Sequence, residues 1–437
     1  MQTQEFCFNF SVVAEEKLEV LLAHQKNKTS RAMDPKTRHD LEKLFLEHIA
    51  QTSPFSSRFP VVRAEGCYFY DSNGKEYIDF IAGIAVTNAG HCHPRIVQAV
   101  EKQIRCYAHT MVYGEHIQAP QVELAARLVS VAPPGLNCVY FLTTGAEAND
   151  AAIKMAAKLT GRKTFCAFHG AYHGDTVGAA SCFGHAGFRA PYDHILLDVR
   201  FLTYNSDCDF HLIDNDVAAV IVEPIQGEGG IIVPSGEFLT ALRRRCDEVG
   251  SLLIFDEVQT AFGRIGEWFA AQKFGIVPDV ITLAKALGAG YPLAALLGKR
   301  EMLHQFAAVP PFSHITTFGG HPVSCAAGLA GLQVIEEEHL LSNSRIQGEY
   351  LKKQLERLKK SYRCIVDVRG LGLMIGVEME SDTCARRVVN SAREKGLILE
   401  TTLLNEAVIR MSPPLIVTKE LCDQALVIFE QALAESA

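Results

Sequence analysis

The sequence predicts an α/β fold in which helices cover both faces of a mostly parallel sheet. Three observations support this class. Between residues 137 and 298, short apolar runs alternate with helical segments, which is the pattern of repeated strand-helix units. The 437 residues are enough for more than one core. Hydrophobic residues make up 48% and charged residues 21%, as in globular domains.

The apolar runs define the candidate strands of this sheet. They are residues 138–142, 164–168, 218–223, 252–256, 280–284 and 294–298. Helices are predicted between them at residues 146–159 and 237–249, each followed closely by a glycine. Glycine is common just after the last turn of a helix.

The flanking regions predict a second, smaller α+β domain. Helices are expected at residues 35–49, 324–338, 347–360 and 384–395, strands around the turn at 71–74 and near 366–368, 373–378 and 408–411, and a closing helix to 434. The predicted organisation is an extension over residues 1–35, the N-terminal part of a small domain over 36–95, a large domain over 96–330 and the C-terminal part of the small domain over 331–437.

Charge and composition exclude several classes of function. The formal net charge of −8 gives no support for nucleic-acid binding. No apolar run approaches the roughly 18 to 20 residues of a membrane helix, and the N-terminus lacks the basic region of a secretory signal. The 13 cysteines include no CxxC pair, which favours reduced thiols and a cytoplasmic location.

Motifs for several other chemistries are missing from the sequence or incomplete. His91, Cys92 and His93 are consecutive, but their side chains diverge in an extended loop and no second ligand cluster is apparent, so no metal is predicted. Walker, GxSxG, HExxH and GxGxxG motifs are absent.

Lys285 is the first candidate for chemistry. It follows the apolar run 280–284 and precedes a turn rich in glycine and alanine. One interpretation is a lysine that extends its amine to water from the end of a buried strand. The other is a desolvated amine with a lowered pKa, available as a Schiff-base nucleophile. The stretch alone does not decide between them.

Three further groups fall at predicted strand ends. The turn from Thr143 to Glu147 leads into a helix whose backbone N–H groups suit a phosphate, although a capped helix start would also explain it. Asp256 ends an apolar strand, where a carboxylate needs a partner. Tyr172 offers an aromatic face. With Lys285, these groups match what pyridoxal phosphate requires.

Eight segments carry a closer resemblance. They are AGIAVTNAGHCHP, TTGAEANDAAIKMA, GAYHGDT, VEPIQGEGG, DEVQTAFGRIG, LAKALGAGYPL, TFGGHPVSCAA and VRGLGLMIGVE. Between about residues 60 and 415, the chain resembles the class III, ω-amino-acid type aminotransferases of the fold-type I pyridoxal-phosphate family. This group contains the 4-aminobutyrate, ornithine and acetylornithine enzymes. The resemblance implies a seven-stranded, mostly parallel sheet in the large domain.

The resemblance also implies roles around the cofactor ring. Lys285 would form the internal aldimine with pyridoxal 5′-phosphate and then carry a proton between substrate and cofactor carbons. Asp256 would pair with the protonated ring nitrogen, and Gln259 would contact the ring hydroxyl. Tyr172 would stack on the ring.

Phosphate contacts are implied on both sides of a dimer. Gly145 and Ala146 would hold the phosphate through their backbone N–H groups. Thr317 would reach the phosphate of a partner subunit, so the resemblance implies a homodimer with shared active sites.

The substrate contacts implied by the family centre on Arg410. An arginine here holds the α-carboxylate of glutamate or 2-oxoglutarate, which suits its bidentate geometry, although an exposed edge position would also explain Arg410. Glu228 matches the glutamate that pairs with this arginine and releases it. Glu223 and Ile84 match other pocket-lining positions.

Asp175 departs from the family pattern. The 4-aminobutyrate, ornithine and acetylornithine enzymes carry an arginine there for the donor's carboxylate, and an acid cannot make that contact. The same Asp resembles the diaminopelargonate aminotransferase branch. Asp175 would favour a donor whose distal end is cationic or uncharged, unless it only caps the following segment.

The expected function is a pyridoxal-phosphate-dependent aminotransferase. It would move an amino group from an ω-amino acid or related amine to 2-oxoglutarate or pyruvate by a ping-pong mechanism. A racemase, epimerase or aminomutase on the same scaffold shares every cofactor contact and is the nearest alternative. A catalytically silent cofactor-binding or interaction protein is the third, and the intact Lys285 and Asp256 weigh against it.

Overall fold

The computed structural model describes residues 35–53, 60–308 and 310–436. The described residues divide into two compact units, one formed by residues 35–53, 60–64 and 69–76 and the other by residues 65–68, 77–308 and 310–436. The predicted extension over residues 1–35 lies, apart from Pro35, outside the described residues.

The N-terminal elements are mostly short. They are α1 (Pro35–His48), β1 (Val61–Glu65), β2 (Tyr68–Asp71), β3 (Glu76–Asp79), α2 (Ala82–Ala85), α3 (Pro94–Cys106) and α4 (Ala119–Val131). Both α3 and α4 have a proline in the first turn, where its missing N–H group costs no helical hydrogen bond.

The central part of the chain alternates strands and helices, as predicted. Its elements are β4 (Cys138–Leu142), α5 (Gly145–Thr160), β5 (Thr164–Phe168), α6 (Val177–Ser181), α7 (Ala186–Arg189), β6 (Val199–Leu202), β7 (Val217–Val222), α8 (Gly236–Val249), β8 (Leu252–Asp256), α9 (Ala270–Phe274), β9 (Val280–Leu283), β10 (Ala294–Gly298) and α10 (Arg300–Leu303). Short 3-10 helices occur at Ala190–Ile195, Phe210–Leu212, Lys285–Gly288 and His304–Ala307. The glycines Gly161 and Gly250 end α5 and α8 in left-handed conformations, as the sequence predicted.

These seven strands form one sheet in the order β4-β10-β9-β8-β7-β5-β6. Strands β9, β8, β7, β5 and β6 are parallel, whereas β10 runs antiparallel to both of its neighbours, β9 and β4. Strand β4 therefore runs in the same direction as β9. The prediction of a mostly parallel seven-stranded sheet is confirmed, and the carboxyl ends of six of its strands share one edge.

Strand β6 was not among the predicted strands. It has four residues, lies at the edge of the sheet and is only partly buried over its first three positions. An edge strand needs apolar residues less than a central strand does, so its sequence carries a weaker signal. The four strands β4, β5, β8 and β10 have the predicted bounds.

The C-terminal third is an α+β arrangement. Its elements are α11 (Pro322–Glu337), α12 (Leu340–Ser361), β11 (Ile365–Leu371), β12 (Met374–Met379), α13 (Asp382–Glu394), β13 (Leu397–Ile398), β14 (Glu400–Thr401), β15 (Val408–Met411) and α14 (Lys419–Ser436). An antiparallel sheet has the order β11-β12-β15-β14, so β15 is an inner strand. None of the described helices is both long and apolar enough to cross a membrane.

A buried arginine joins three distant segments of the larger unit. Arg264 is 0% exposed. Its Nη1 donates to the carbonyls of Leu373 at 2.8 Å and Pro413 at 2.7 Å, and its Nη2 donates to Asn88 Oδ1 at 2.6 Å. Burial lowers the pKa of this guanidinium to about 9, against a smaller opposing effect of Asp79. Arg264 therefore links the segments around residues 88, 373 and 413, which are far apart in sequence, through its hydrogen bonds.

Candidate active site

A cavity of about 700 Å³ lies at the carboxyl edge of the large sheet. Its volume is within the range of small-molecule and cofactor sites. The strands β4, β5, β7, β8 and β9 all end there, because they run in the same direction. The lining includes Thr144, Gly145, Ala146, Asn149, Tyr172, His173, Asp175, Glu223, Asp256, Gln259 and Lys285.

The helix that starts beside the cavity, α5, has both a cap and free donors. Thr144 Oγ1 accepts a hydrogen bond from the Glu147 N–H at 3.2 Å, and Glu147 Oε2 accepts one from the Thr143 N–H at 2.8 Å. This reciprocal cap leaves the N–H groups of Gly145 and Ala146 without a partner among the described residues. Both residues line the cavity, so the helix presents two donors and its positive end to an anion.

Two glycines allow close packing around this helix start. A Cβ added at Gly145 would lie 3.0 Å from Val258 Cγ1, and one added at Gly174 would lie 2.4 Å from Ala146 Cβ. Gly174 also has φ +115°, which other residues rarely adopt. The two glycines therefore let Val258 and the loop at Gly174 pack directly against the start of α5.

Asp256 ends β8 and is 5% exposed. Its Oδ2 accepts hydrogen bonds from Asn149 Nδ2 at 2.8 Å and from His173 Nδ1 at 2.7 Å, and its Oδ1 accepts one from the Val258 N–H at 3.0 Å. Sequence reasoning found Asp256 but not Asn149 or His173. A strand-end carboxylate that must be buried was the available signal that such donors exist.

Lys285 follows β9 in a left-handed conformation, with φ +48°. Such a backbone is costly for a residue with a Cβ, and strained residues of this kind cluster at active sites. Burial lowers the pKa of its amine, and the positive charge of Arg410 acts in the same direction, while Glu228, Asp256 and Glu223 oppose it. The structure places Lys285 in the same cavity as Asp256 and the α5 N-terminus.

Tyr172 and Asp175 are bonded to each other at the cavity. The Tyr172 hydroxyl donates to Asp175 Oδ2 at 2.7 Å. Burial, followed by this carboxylate, raises the pKa of Tyr172. Helix α6 is capped at Thr176 without a side-chain hydrogen bond, so the interpretation of Asp175 as a cap is wrong. The exposed Asp175 side chain lies at the cavity.

Glu223 follows β7 and is buried at the cavity. Its Oε1 accepts the Tyr172 N–H at 3.0 Å and its Oε2 accepts the Gly227 N–H at 2.9 Å. Burial raises the pKa of this carboxyl to about 7, with Asp256 adding to the shift and His173 opposing it. Its contacts are to the backbone that holds Tyr172 and the following loop.

Glu223 should make the stability of the protein depend on pH. Its folded pKa of about 7 exceeds its ordinary value of 4.5, so between these values the folded protein retains a proton that the unfolded chain has lost. The stabilising contribution is complete below about pH 4.5 and is lost as pH rises through about 7. Urea unfolding at several pH values measures this contribution. From pH 5 to pH 8, we expect the free energy of unfolding of the wild type to fall by roughly 3 kcal/mol or less relative to that of Glu223→Gln, which cannot titrate at this position. A constant difference over this range would contradict the assignment.

Arg410 and Glu228 form a buried ion pair. Arg410 Nη1 donates to Glu228 Oε1 at 2.7 Å and Nη2 donates to Oε2 at 2.6 Å. Leu403 donates its N–H to Oε2 at 2.9 Å. Burial alone would raise the pKa of Glu228, but Arg410 and the Leu403 N–H outweigh it and hold that pKa below its usual value. Arg410 is 2% exposed on the inner strand β15, so the interpretation as an exposed edge residue is wrong.

The remaining predicted site residues differ in position. Gln259 lines the cavity, and its buried Nε2 has no partner among the described residues. Ile84 does not line the cavity and is exposed, whereas Val86, two residues later, does line it. Thr317 is also outside the cavity of its own chain. It is exposed, and its Oγ1 lies 3.2 Å from Tyr113 Oη.

Comparison with known proteins decides the family. The model of the family described as aminotransferase class-III matches residues 50–433. The chain belongs to the class III aminotransferases. The resemblance inferred from the sequence motifs is therefore confirmed, and the family favours amino transfer over the racemase, epimerase or aminomutase alternative.

Relatives of this class III aminotransferase agree in their names. The acetylornithine aminotransferase of Methanosarcina mazei is 42% identical over 380 residues, which cover 86% of this chain and 92% of that protein. The enzyme of the same name from Bacillus subtilis is 38% identical over 376 residues, with coverage of 86% and 94%.

Solved structures show the same fold. The ornithine aminotransferase of Toxoplasma gondii has a TM-score of 0.84 at 28% identity and covers 95% of this chain and 97% of its own. A transaminase from the marine bacterium Virgibacillus has a TM-score of 0.85 at 27% identity, with coverage of 91% and 99%. The fold is that of the fold-type I transaminases, as expected from the sequence.

The cofactor of this class III aminotransferase is pyridoxal 5′-phosphate, which is also named at the active site of the Toxoplasma gondii enzyme. The residues at the cavity fit it. Two unpartnered N–H groups of α5 suit its phosphate, and the unpartnered Nε2 of Gln259 suits an acceptor on its ring. A buried carboxylate and a lysine amine are available in the same cavity for the ring nitrogen and the aldehyde.

Proposed function

We propose that this enzyme moves the terminal amino group of an ω-amino acid or related amine to 2-oxoglutarate, with pyruvate as the other possible acceptor, and that the two substrates use the cavity in turn. The buried, bidentate pair of Arg410 and Glu228 carries this proposal. Neither residue lines the cavity itself, but the charges of both act on the pKa of Lys285, which does. When bound, pyridoxal 5′-phosphate supplies an aldehyde that reacts with amines and a ring that accepts electron density from the substrate carbon.

Lys285 provides the amine that holds the cofactor and then moves the proton. Burial lowers the pKa of its Nζ, which increases the fraction of neutral amine available as a nucleophile and as a base. Its left-handed backbone fixes the direction in which the side chain leaves the sheet edge. Lys285 Nζ therefore removes the proton from the substrate carbon that bears the amino group.

Other residues would hold the cofactor around this amine. Asp256 would bind the ring nitrogen, and its negative charge would favour the protonated nitrogen that withdraws electrons. Gln259 would donate its free Nε2 hydrogen to the ring oxygen, and Tyr172 would pack on the ring face. Gly145 and Ala146 would donate their N–H groups to the phosphate, which would also benefit from the positive end of α5.

Arg410 binds the carboxylate of the acceptor. Its fork-shaped guanidinium already holds one carboxylate, that of Glu228, in bidentate geometry, and the acceptor carboxylate takes the same place. Glu228 neutralises Arg410 when the donor occupies the cavity. An uncompensated buried guanidinium would be costly, so this exchange lets one cavity accept both substrates.

Among ω-amino acids and related amines, the preferred donor is one whose distal end carries no net negative charge, such as a diamine or the zwitterionic end of lysine. Asp175 lies at the cavity, where the related enzymes with a carboxylate-bearing donor carry arginine, and its charge would repel such a donor. Its bond from the Tyr172 hydroxyl keeps it there. The names of the relatives point instead to N-acetylornithine, whose distal end bears a carboxylate. Asp175 and the relatives therefore predict different donors, and identifying the donor tests the role of Asp175.

We also propose a homodimer in which Thr317 serves the phosphate site of the partner. The exposed position of Thr317, outside the cavity of its own chain, supports this proposal. The twelve described cysteines are all free thiols, which supports a reducing compartment such as the cytoplasm.

A donor panel tests the proposal. We expect the holoenzyme to react with diamines and lysine at least about tenfold faster, in kcat/KM, than with 4-aminobutyrate or N-acetylornithine, because a repelled carboxylate costs more than about 1.4 kcal/mol. Bleaching of the bound-cofactor absorbance reports each donor. The Asp175→Arg variant should reverse the order. A wild-type preference for N-acetylornithine would reject the role of Asp175 without rejecting amino transfer.

Replacing Arg410 tests the acceptor site. We expect Arg410→Gln to raise the KM for 2-oxoglutarate by roughly 30- to 1000-fold, corresponding to about 2 to 4 kcal/mol for a buried bidentate contact. The half-reaction with a diamine donor should change little. The double variant Arg410→Gln/Glu228→Gln removes the unpaired carboxylate and serves as the control. An unchanged KM for 2-oxoglutarate in both variants would place the acceptor elsewhere.

A further inference from the structure

His173 is a buried ring with one polar contact. Its side chain is 0% exposed, and its Nδ1 lies 2.7 Å from Asp256 Oδ2. An ionised carboxylate can only accept, so Nδ1 carries the hydrogen of this bond. His173 immediately follows Tyr172, so the segment that supplies the aromatic face also supplies a donor to Asp256.

Asn149 completes the same arrangement from α5. Its Nδ2 donates to Asp256 Oδ2 at 2.8 Å and to the backbone carbonyl of His173 at 2.7 Å. Both hydrogens of the amide nitrogen are therefore used. The asparagine lies one helical turn after Gly145, and it ties the phosphate-side helix to the carboxylate and to the loop that bears His173.

The polar atoms left over are informative. His173 Nε2 and Asn149 Oδ1 are buried and have no partner among the described residues. A buried polar atom without a hydrogen bond is costly, and an apolar side chain of similar shape would avoid that cost. The cost of these unpaired atoms is offset by the hydrogen bonds that the two side chains do make. His173 donates to Asp256, and Asn149 donates to Asp256 and to the backbone carbonyl of His173.

We propose that His173 and Asn149 are positioning residues for Asp256. Together they occupy Oδ2 with two N–H donors and leave Oδ1, which has only the backbone bond from Val258, as the oxygen that accepts from the cofactor ring nitrogen. This inference rests on the proposed role of Asp256. His173 is thus a determinant of cofactor affinity that does not itself touch the reacting atoms.

The test compares two replacements in the full chain. Asparagine at position 173 places its Nδ2 close to where histidine has Nδ1, whereas leucine has a similar size and no donor. We expect His173→Leu to raise the dissociation constant for pyridoxal 5′-phosphate about 10- to 100-fold, the effect of losing one hydrogen bond to a charged group. His173→Asn should remain within about threefold of wild type. Titration of the cofactor-free protein, followed by the absorbance of the bound cofactor, gives these constants.

Asn149→Leu provides an independent second variant, and thermal unfolding shows that each variant is folded. If His173→Leu does not fold, Asn149→Leu, expected to weaken cofactor binding by the same 10- to 100-fold, carries the test. Equal losses in His173→Leu and His173→Asn would overturn the inference, because a purely structural ring would not be rescued by a donor.

Asp256→Ala separates this inference from the proposed function. If Asp256→Ala binds the cofactor as tightly as wild type, the role of Asp256 is wrong. If Asp256→Ala weakens binding while folded His173→Leu and Asn149→Leu bind as wild type, Asp256 keeps its role and the positioning inference is overturned.

Discussion

The Lys285→Ala variant is expected to lose amino transfer by roughly 10³-fold or more, because it removes the only lysine amine at the cavity within the described residues. Both proposed roles of this side chain, holding the cofactor and moving the proton, depend on Nζ. Initial rates with a reactive donor and 2-oxoglutarate measure the loss. Added methylamine should recover part of the rate, since a small amine can reach the vacated space.

The fold should tolerate this replacement. Burial lowers the pKa of Lys285, which means that the site disfavours the charged amine, so thermal unfolding of the cofactor-free variant is expected at or above the wild-type temperature. The exposed Lys273 of α9 provides the matched control, and Lys273→Ala should keep full activity. Full turnover in Lys285→Ala would exclude Lys285 as the cofactor-bearing lysine.

The Arg264→Met variant is expected to lose about 3 kcal/mol of stability, because Arg264 is fully buried and donates hydrogen bonds to three acceptors. Methionine fills similar space but leaves the carbonyls of Leu373 and Pro413 and the Oδ1 of Asn88 without their buried donor. Each unsatisfied group costs roughly 1 to 3 kcal/mol, and removal of the buried charge offsets part of the sum.

Urea unfolding of the holoenzyme, together with an Arg244→Met control, measures this effect. Arg244 has a side chain 74% exposed on α8 and lies 3.9 Å from Glu248, so its replacement should change the free energy of unfolding by less than about 0.5 kcal/mol. Equal stability of the two variants would show that the three loops are held together by other contacts.

The central sheet was largely predictable because its inner strands are apolar and almost entirely buried. The runs that became β4, β5, β8 and β10 had the right bounds, since each is apolar and is bounded by turn residues. Strand β6 was missed because it is short, lies at the edge of the sheet and is only partly buried, so its four residues need not form an apolar run. The direction of β10 was also beyond the sequence, because hydrophobic runs do not reveal whether a strand is parallel to its neighbours.

Site residues were predictable where their immediate sequence neighbours made them unusual. Lys285 and Asp256 each interrupt an apolar run, and Thr144 and Glu147 mark a capped helix. His173 and Asn149 gave no such signal, because their partner, Asp256, is 83 and 107 residues away. The burial of Arg410 was equally hidden, since it depends on β15 lying between β12 and β14.

The antiparallel strand β10 determines how far apart its two neighbours, β4 and β9, lie in the sheet. No residue of Ala294–Gly298 lines the cavity, yet β10 separates β4, which leads to the α5 N-terminus, from β9, which leads to Lys285. Two strand spacings amount to about 9.6 Å. Strand β10 therefore holds β4 and β9 apart by two strand spacings, and this separation within the sheet depends on backbone hydrogen bonds rather than on the side chains of β10.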